Sequence, residues 1–130
     1  MTMEAKQLPG IRCISVAEFH AELDAQGVPA QEHLAFRCPM CGTIQSPHDL
    51  IQAGAGKTFD EVERFVGFSC VGRFTGAGTP RNKPDGKPCD WSLGGFFRLH
   101  KLEVETPDGK RHPRFEPASP EEAQAHATRA

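Results

Sequence analysis

Two cysteines stand three positions apart in the stretch FRCPMCGTIQ, with Pro39 between them and Gly42 directly after. A two-residue spacer lets the sulfurs of Cys38 and Cys41 point at one ion, and Gly42 lets the backbone curl so that N–H groups can face them. This is half of a zinc site, and no second C-x-x-C occurs in the chain. The other half is supplied by Cys70, which ends FVGFSC, and Cys89, in KPCDW. The spacing C-x2-C-x28-C-x18-C predicts one zinc ion held by Cys38, Cys41, Cys70 and Cys89. Four thiolates close a tetrahedron, so the expected ion is structural. A zinc hydrolase would need one of the four free of metal and a water in its place.

Other readings of these residues carry different chemistry. A C-x-x-C containing proline also occurs in dithiol redox proteins, but no βαβ pattern surrounds this one and two further cysteines await. Buried, inert cysteines without metal are the second alternative. Cys13 stands outside the set and is expected in the core. The histidines His20, His33, His48, His100, His112 and His126 are scattered, and His48 and His100 are the best substitutes should one thiol not bind. The run GAGKT at Gly54–Thr58 resembles the end of a phosphate-binding loop, yet Ile51 stands where that pattern needs its first glycine. Neither G-x-S-x-G nor H-E-x-x-H occurs, and no enzymatic activity is expected.

The elements that must position the sulfurs can be read from caps and breakers. Ser15-Val16-Ala17-Glu18 is a capping box, and Phe19 and Leu23 follow on one face, predicting a short helix that ends at Gly27. Leu34, Phe36 and Cys38 alternate with more polar neighbours, predicting a strand that delivers the chain to the C-x-x-C turn. Ser46-Pro47-His48-Asp49 starts a second helix, stopped by Gly54. Thr58 is another cap with room for a turn or two, because Phe65 to Cys70 reads as a strand. From Gly72 to Pro88 the chain is a basic, Gly/Pro-rich loop without apolar periodicity. Phe97, Leu99, Leu102 and Val104 form a strand-like run, Thr106–Lys110 a tight turn, and Arg111–Phe115 an antiparallel return kept at an edge by Pro113.

These readings give a small α+β domain organised around a four-cysteine zinc site, with an N-terminal helix and a C-terminal antiparallel hairpin. Residues 1–130 are read as one domain with its core over about 30–116 and a tail, 117–130, that frays or forms a loose helix from Ser119. A chain of this length can bury roughly two thirds of its unfolded surface. With 13 glycines, 11 prolines and a mean hydropathy of -0.47, however, it needs something to pin its irregular stretches. Closing the loop between Cys70 and Cys89 through metal does that; structural zinc contributes on the order of 10–16 kcal/mol in small metal-dependent peptides.

The net charge of -2 gives no overall attraction to nucleic acid or anionic membrane. Locally, Arg73, Arg81, Lys83 and Lys87, with Phe74 and Trp91 nearby, could grip a phosphate backbone and stack a base; a solvated loop with two core aromatics is the other reading. No apolar run is long enough to span a membrane, and MTMEAKQLPG lacks the apolar core of a signal peptide, so cytoplasmic residence is expected.

At FRCPMCGTIQ, FSCVGR and PCDWSLGGFF together the chain resembles a family of small, functionally uncharacterised, zinc-ribbon-like proteins encoded by bacteriophages and prophages. The residues that carry the likeness are Phe36, Cys38, Pro39, Cys41, Gly42 and Gln45; Phe68, Cys70, Gly72 and Arg73; and Cys89, Asp90, Trp91, Gly94, Gly95 and Phe97. Phe96 stands where leucine is usual. The resemblance implies a zinc-held fold and a phage-type protein of the host bacterial cytoplasm. It also implies action by binding, with a host protein as partner, including restriction or CRISPR nucleases. The alternative is a nucleic-acid-binding zinc protein that uses the basic loop 73–87.

Overall fold

The computed structural model describes residues 11–78, 86–93 and 100–129. It is an α+β fold with two small sheets. In the first sheet β1 (Arg12–Ser15) runs parallel to β4 (Leu102–Glu105), which pairs antiparallel with β5 (Arg111–Arg114). In the second, β2 (Phe36–Arg37) lies between β3 (Ile44–Gln45) and β6 (Glu116–Pro117), antiparallel to both. Phe36 faces Gln45 on one side and Pro117 on the other.

Three helices begin where side-chain caps dictate. Ser15 and Glu18 form a full capping box at the start of α1 (Val16–Asp24), and Ser46 and Asp49 form another at α2 (Pro47–Gln52). Thr58 accepts from the Glu61 N–H at the start of α3 (Phe59–Val66). Gly27 and Gly54 take positive φ just beyond α1 and α2, the conformation that made glycine the expected stop. The hairpin turn closes at Gly109, also at positive φ, and β5 with its Pro113 is an edge strand as read.

Several expectations are corrected. Phe65 and Val66 belong to α3, not to a strand running to Cys70, because Val62 and Val66 fall one turn apart and both are buried. Beyond Gly67 the chain makes only one bridge, Ser69 with Ser92, before a 3-10 turn over Val71–Phe74 that begins the expected loop. A strand that the sequence reading did not anticipate, β1, precedes the first helix. The segment read as a frayed tail or loose helix forms α4 (Pro120–Arg129), capped by Ser119 and Glu122. It is docked: Ala123 is buried, Gln124 donates to the Gln26 carbonyl at 2.8 Å, and Arg37 pairs with Glu122. Phe97 and Leu99 lie outside the described residues.

The core contains Phe36, Leu50, Val62, Val66 and Phe115, and the four cysteines of the predicted site are part of the same buried cluster. Among the described residues no helix is long and apolar enough to cross a membrane.

Candidate metal centre

Three chain segments converge on the cysteines. Cys38 and Cys41 sit on the turn that joins β2 to β3. There the Cys38 N–H donates to the Thr43 carbonyl at 2.9 Å, and the Gly42 N–H donates back to the Cys38 carbonyl at 2.9 Å. Gly42 has φ 80, so the curl expected of it is present; its N–H is used on a carbonyl, not on a sulfur. Cys70 follows α3 and donates its N–H to the Trp91 carbonyl at 3.0 Å, which brings the strand-like segment around Cys89 alongside. The Cys89 N–H in turn points at the Cys70 sulfur, 3.4 Å away.

Two motif residues explain how this convergence holds. Gln45 is fully buried, and its amide donates to the carbonyls of Val66 at 2.9 Å and Ser69 at 2.8 Å while accepting the Val71 N–H at 2.7 Å. One side chain thereby satisfies the backbone on both sides of Cys70, which no regular element serves. Gly72 lies so close to the Cys89 backbone that a Cβ would stand 2.5 Å from the Cys89 carbonyl oxygen and 2.8 Å from its nitrogen. Only glycine lets these two segments approach.

The four sulfurs are buried and all lie within 4.8 Å of one another. Cys38 Sγ is 3.9 Å from Cys89 Sγ, and Cys41 Sγ is 3.7 Å from Cys70 Sγ. A regular tetrahedron with metal–sulfur bonds of ~2.3 Å has edges of ~3.8 Å, so these separations fit one ion at the centre. They do not fit disulfides, whose sulfurs are ~2.05 Å apart, and all five cysteines are free thiols. The arrangement could therefore hold a metal ion.

The electrostatics agree with that reading. Hydrogen bonds from Cys38 first and Cys70 next, with a further one from Thr43 (Oγ1 3.1 Å from the sulfur), hold the Cys41 thiol far below its ordinary pKa. Donation to Cys41 keeps the Cys38 proton in place and raises its pKa strongly. Burial pushes Cys89 up to about 12, with the charge of Cys70 and Cys41 adding to it. Four thiolates in one buried nest repel each other, and a central dication is what would let all four ionise.

The remaining candidates are placed elsewhere. His48 is paired with the His33 ring at 5.3 Å, and His100 Nε2 meets Glu103 at 2.9 Å, so neither joins the sulfurs. Cys13 is outside the cluster as expected, but it is half-buried on edge strand β1 and not in the core. Arg73 is exposed and directs its guanidinium at the Asp90 carbonyl, 3.4 Å away; Lys87 is also exposed. Trp91 is stacked on Phe115 with 6.0 Å between ring centroids. Arg81 and Lys83 lie outside the described residues, as do Gly94, Gly95, Phe96 and Phe97 of the third motif.

Sequence reasoning missed a second buried glutamine. Gln26 donates to the carbonyls of Ala35 at 2.8 Å and Ala118 at 3.1 Å and accepts the Ala35 N–H at 2.9 Å. It ties the chain after α1 to β2 and to the start of α4. Nothing in its position after the helix distinguishes it from an exposed polar residue.

Fold and site together define a small α+β protein built around a four-cysteine centre. The model of the VVA0879-like family matches residues 15–118, which contain all four cysteines, and the chain belongs to that family. No curated protein and no solved structure matches it.

Proposed function

We propose that Cys38, Cys41, Cys70 and Cys89 bind one structural zinc ion, and that the protein acts by binding a protein of a bacterial host, not by catalysis. The observation that carries the metal reading is the tetrahedral spacing of four buried sulfurs from three segments. Zinc suits an all-thiolate tetrahedron better than the harder divalent ions do. A sphere filled by protein sulfur leaves no position for water, which supports a structural ion. The partner reading rests on the resemblance to phage and prophage proteins, and it sets the host cytoplasm as the compartment and a defence nuclease as the partner class. The nucleic-acid alternative draws on exposed Arg73 and Lys87, with half-buried Trp91, already stacked on Phe115, having one ring face left for a base.

Elemental analysis of the purified chain tests the metal. One zinc per chain is expected, lost in Cys70→Ser and kept in Cys13→Ser; full metal content in Cys70→Ser, or its loss in Cys13→Ser, refutes the assignment. Capture from bacterial lysate at moderate salt tests the partner, comparing wild type with Cys70→Ser. A protein retained only by the metal-loaded form supports the reading. Affinity for bare DNA that falls steeply with salt instead assigns the function to nucleic acid.

A further inference from the structure

A cleft of about 800 Å³ opens beside α1, far larger than a packing defect and within the range of small-molecule sites. Its apolar walls include Phe19 and Leu23 of α1, Leu34, Phe36 of β2, and Phe68. Phe19 and Leu23 form the apolar face of α1, yet α1 buries none of its residues; both side chains stand over the cleft half-exposed. The Phe19 ring reaches the Phe36 ring at 6.2 Å between centroids and leaves the rest of the cleft uncovered.

Two arginines are part of this lining: Arg64, exposed with its guanidinium over the Phe65 ring at 4.6 Å, and Arg114, which is half-buried. Arg114 of β5 lies beside Gly67, where a Cβ would stand 3.7 Å from both Arg114 Cδ and the Phe36 ring. Arg12, Arg37 and Arg111 each have a carboxylate partner, whereas Arg114 forms no ion pair among the described residues. Among the described residues its guanidinium donates only to the adjacent Pro113 carbonyl, at 2.9 Å. Burial alone pulls its pKa below the ordinary arginine value. The acids that line the cleft, Asp24 and Glu63, are solvent-exposed. A partly desolvated guanidinium at the edge of a cleft with mixed apolar and polar walls is left short of an anion among the described residues, and its planar fork matches a carboxylate.

We propose that this cleft binds a small amphiphilic carboxylate, whose alkyl or aryl body lies between α1 and Phe36 and whose carboxylate pairs with Arg114. The site is separate from the four-cysteine centre and does not rest on the zinc or partner reading.

The test uses the full metal-loaded chain, labelled with ¹⁵N, titrated with decanoate below its micelle concentration and in parallel with decanol. Decanoate is expected to shift the amides of Phe19, Leu23, Gly67 and Arg114 and to bind at least about tenfold more tightly than decanol, as a charge-assisted pair predicts. Arg114→Gln should abolish that preference, and Arg114→Lys should keep part of it. Gly67→Leu supplies a variant that needs no loss of charge. Gly67 does not have positive φ and a Cβ there meets only ordinary contacts, so the added side chain should enter the cleft and block both ligands. Equal affinity for decanoate and decanol, shifts confined to other residues, or no shift from either ligand overturns the proposal. So do shifts of these amides on raising protein concentration alone, which assign the face to a second copy of the chain.

Discussion

Replacing Gln45 with methionine keeps the length and burial of the side chain and removes its three hydrogen bonds, to the Val66 and Ser69 carbonyls and from the Val71 N–H. The side chain has no exposed surface, so water cannot take over without opening the core. An unsatisfied buried polar group costs about 1–3 kcal/mol, and an orphaned N–H is the least tolerated. Taking the Val71 N–H near the upper end and the two carbonyls near the lower, the loss comes to roughly 3–5 kcal/mol, a large part of the ~5–15 kcal/mol that stabilises a typical domain. Because these groups flank Cys70, the same change should weaken metal binding. Urea unfolding with zinc in excess reads the stability, and competition with a chromophoric chelator reads the affinity. Gln26→Met is the control: it too removes three buried hydrogen bonds, but at Ala35 and Ala118, neither of which adjoins a cysteine of the centre. It should cost similar stability while the folded protein keeps its zinc affinity. A loss below about 1 kcal/mol for Gln45→Met, or equal effects of both variants on zinc affinity, refutes this account of the motif glutamine.

Two further perturbations have signs set by the structure. Gly72→Ala places a Cβ 2.5 Å from the Cys89 carbonyl oxygen, so the Cys89 backbone must move by much of an ångström, whereas metal–ligand distances tolerate about 0.2 Å. Overpacking of this kind costs about 1–3 kcal/mol, so zinc affinity should fall by about fivefold or more; a value within about twofold of wild type would contradict the steric argument. Acidification should undock α4. The Arg37 guanidinium holds Glu122 below the usual carboxylate range, and Asp49, which burial pushes up, is pulled further down by His126 and Ser46. Lowered folded values stabilise the protein above the unfolded carboxylate pKa of about 4, and that contribution is lost as pH falls through them. The methyl resonance of buried Ala123 should therefore move as pH falls below the unfolded carboxylate pKa of about 4, less so in Glu122→Gln; a constant position would show that α4 docks without these carboxylates.

What could be read from the chain is what neighbouring residues decide among themselves. The helix starts at Ser15 and Ser46, the turn at Thr106–Lys110 and the C-x-x-C knuckle each involve only a few consecutive positions, and all stand where they were expected. Four cysteines could be grouped because thiols are rare enough for their spacing to carry meaning. Elements defined by distant partners were not legible. β1 is a four-residue strand whose pairing with Leu102–Glu105 leaves no local trace. Phe65 and Val66 alternate convincingly with the residues after them, and only the burial of Val62 beneath the same helix face shows that α3 claims them. Helix α4 looked unsupported because its supports, Gln26, Arg37 and Asp49, lie far back in the sequence.

The sulfur centre differs in kind from a metal site attached to a finished fold. Of the ten described residues in the main buried cluster four are its cysteines, and apolar packing is shared among Phe36, Leu50, Val62, Val66, Val71 and Phe115. Cysteine is a small hydrophobe, so the thiols alone offer modest dispersion contact and, once one ionises, mutual repulsion. The glutamine clamp and the Gly72 contact bring the cysteine-bearing segments within reach, but each is a hydrogen-bonding or steric device with no strong attraction of its own. The interaction able to draw the C-x-x-C knuckle, the residues after α3 and the Cys89 segment to one point is coordination of a central cation. In the proposed reading, metal binding and the packing of the core are one event, and chelation should cost this protein its tertiary structure, not merely a bound ion.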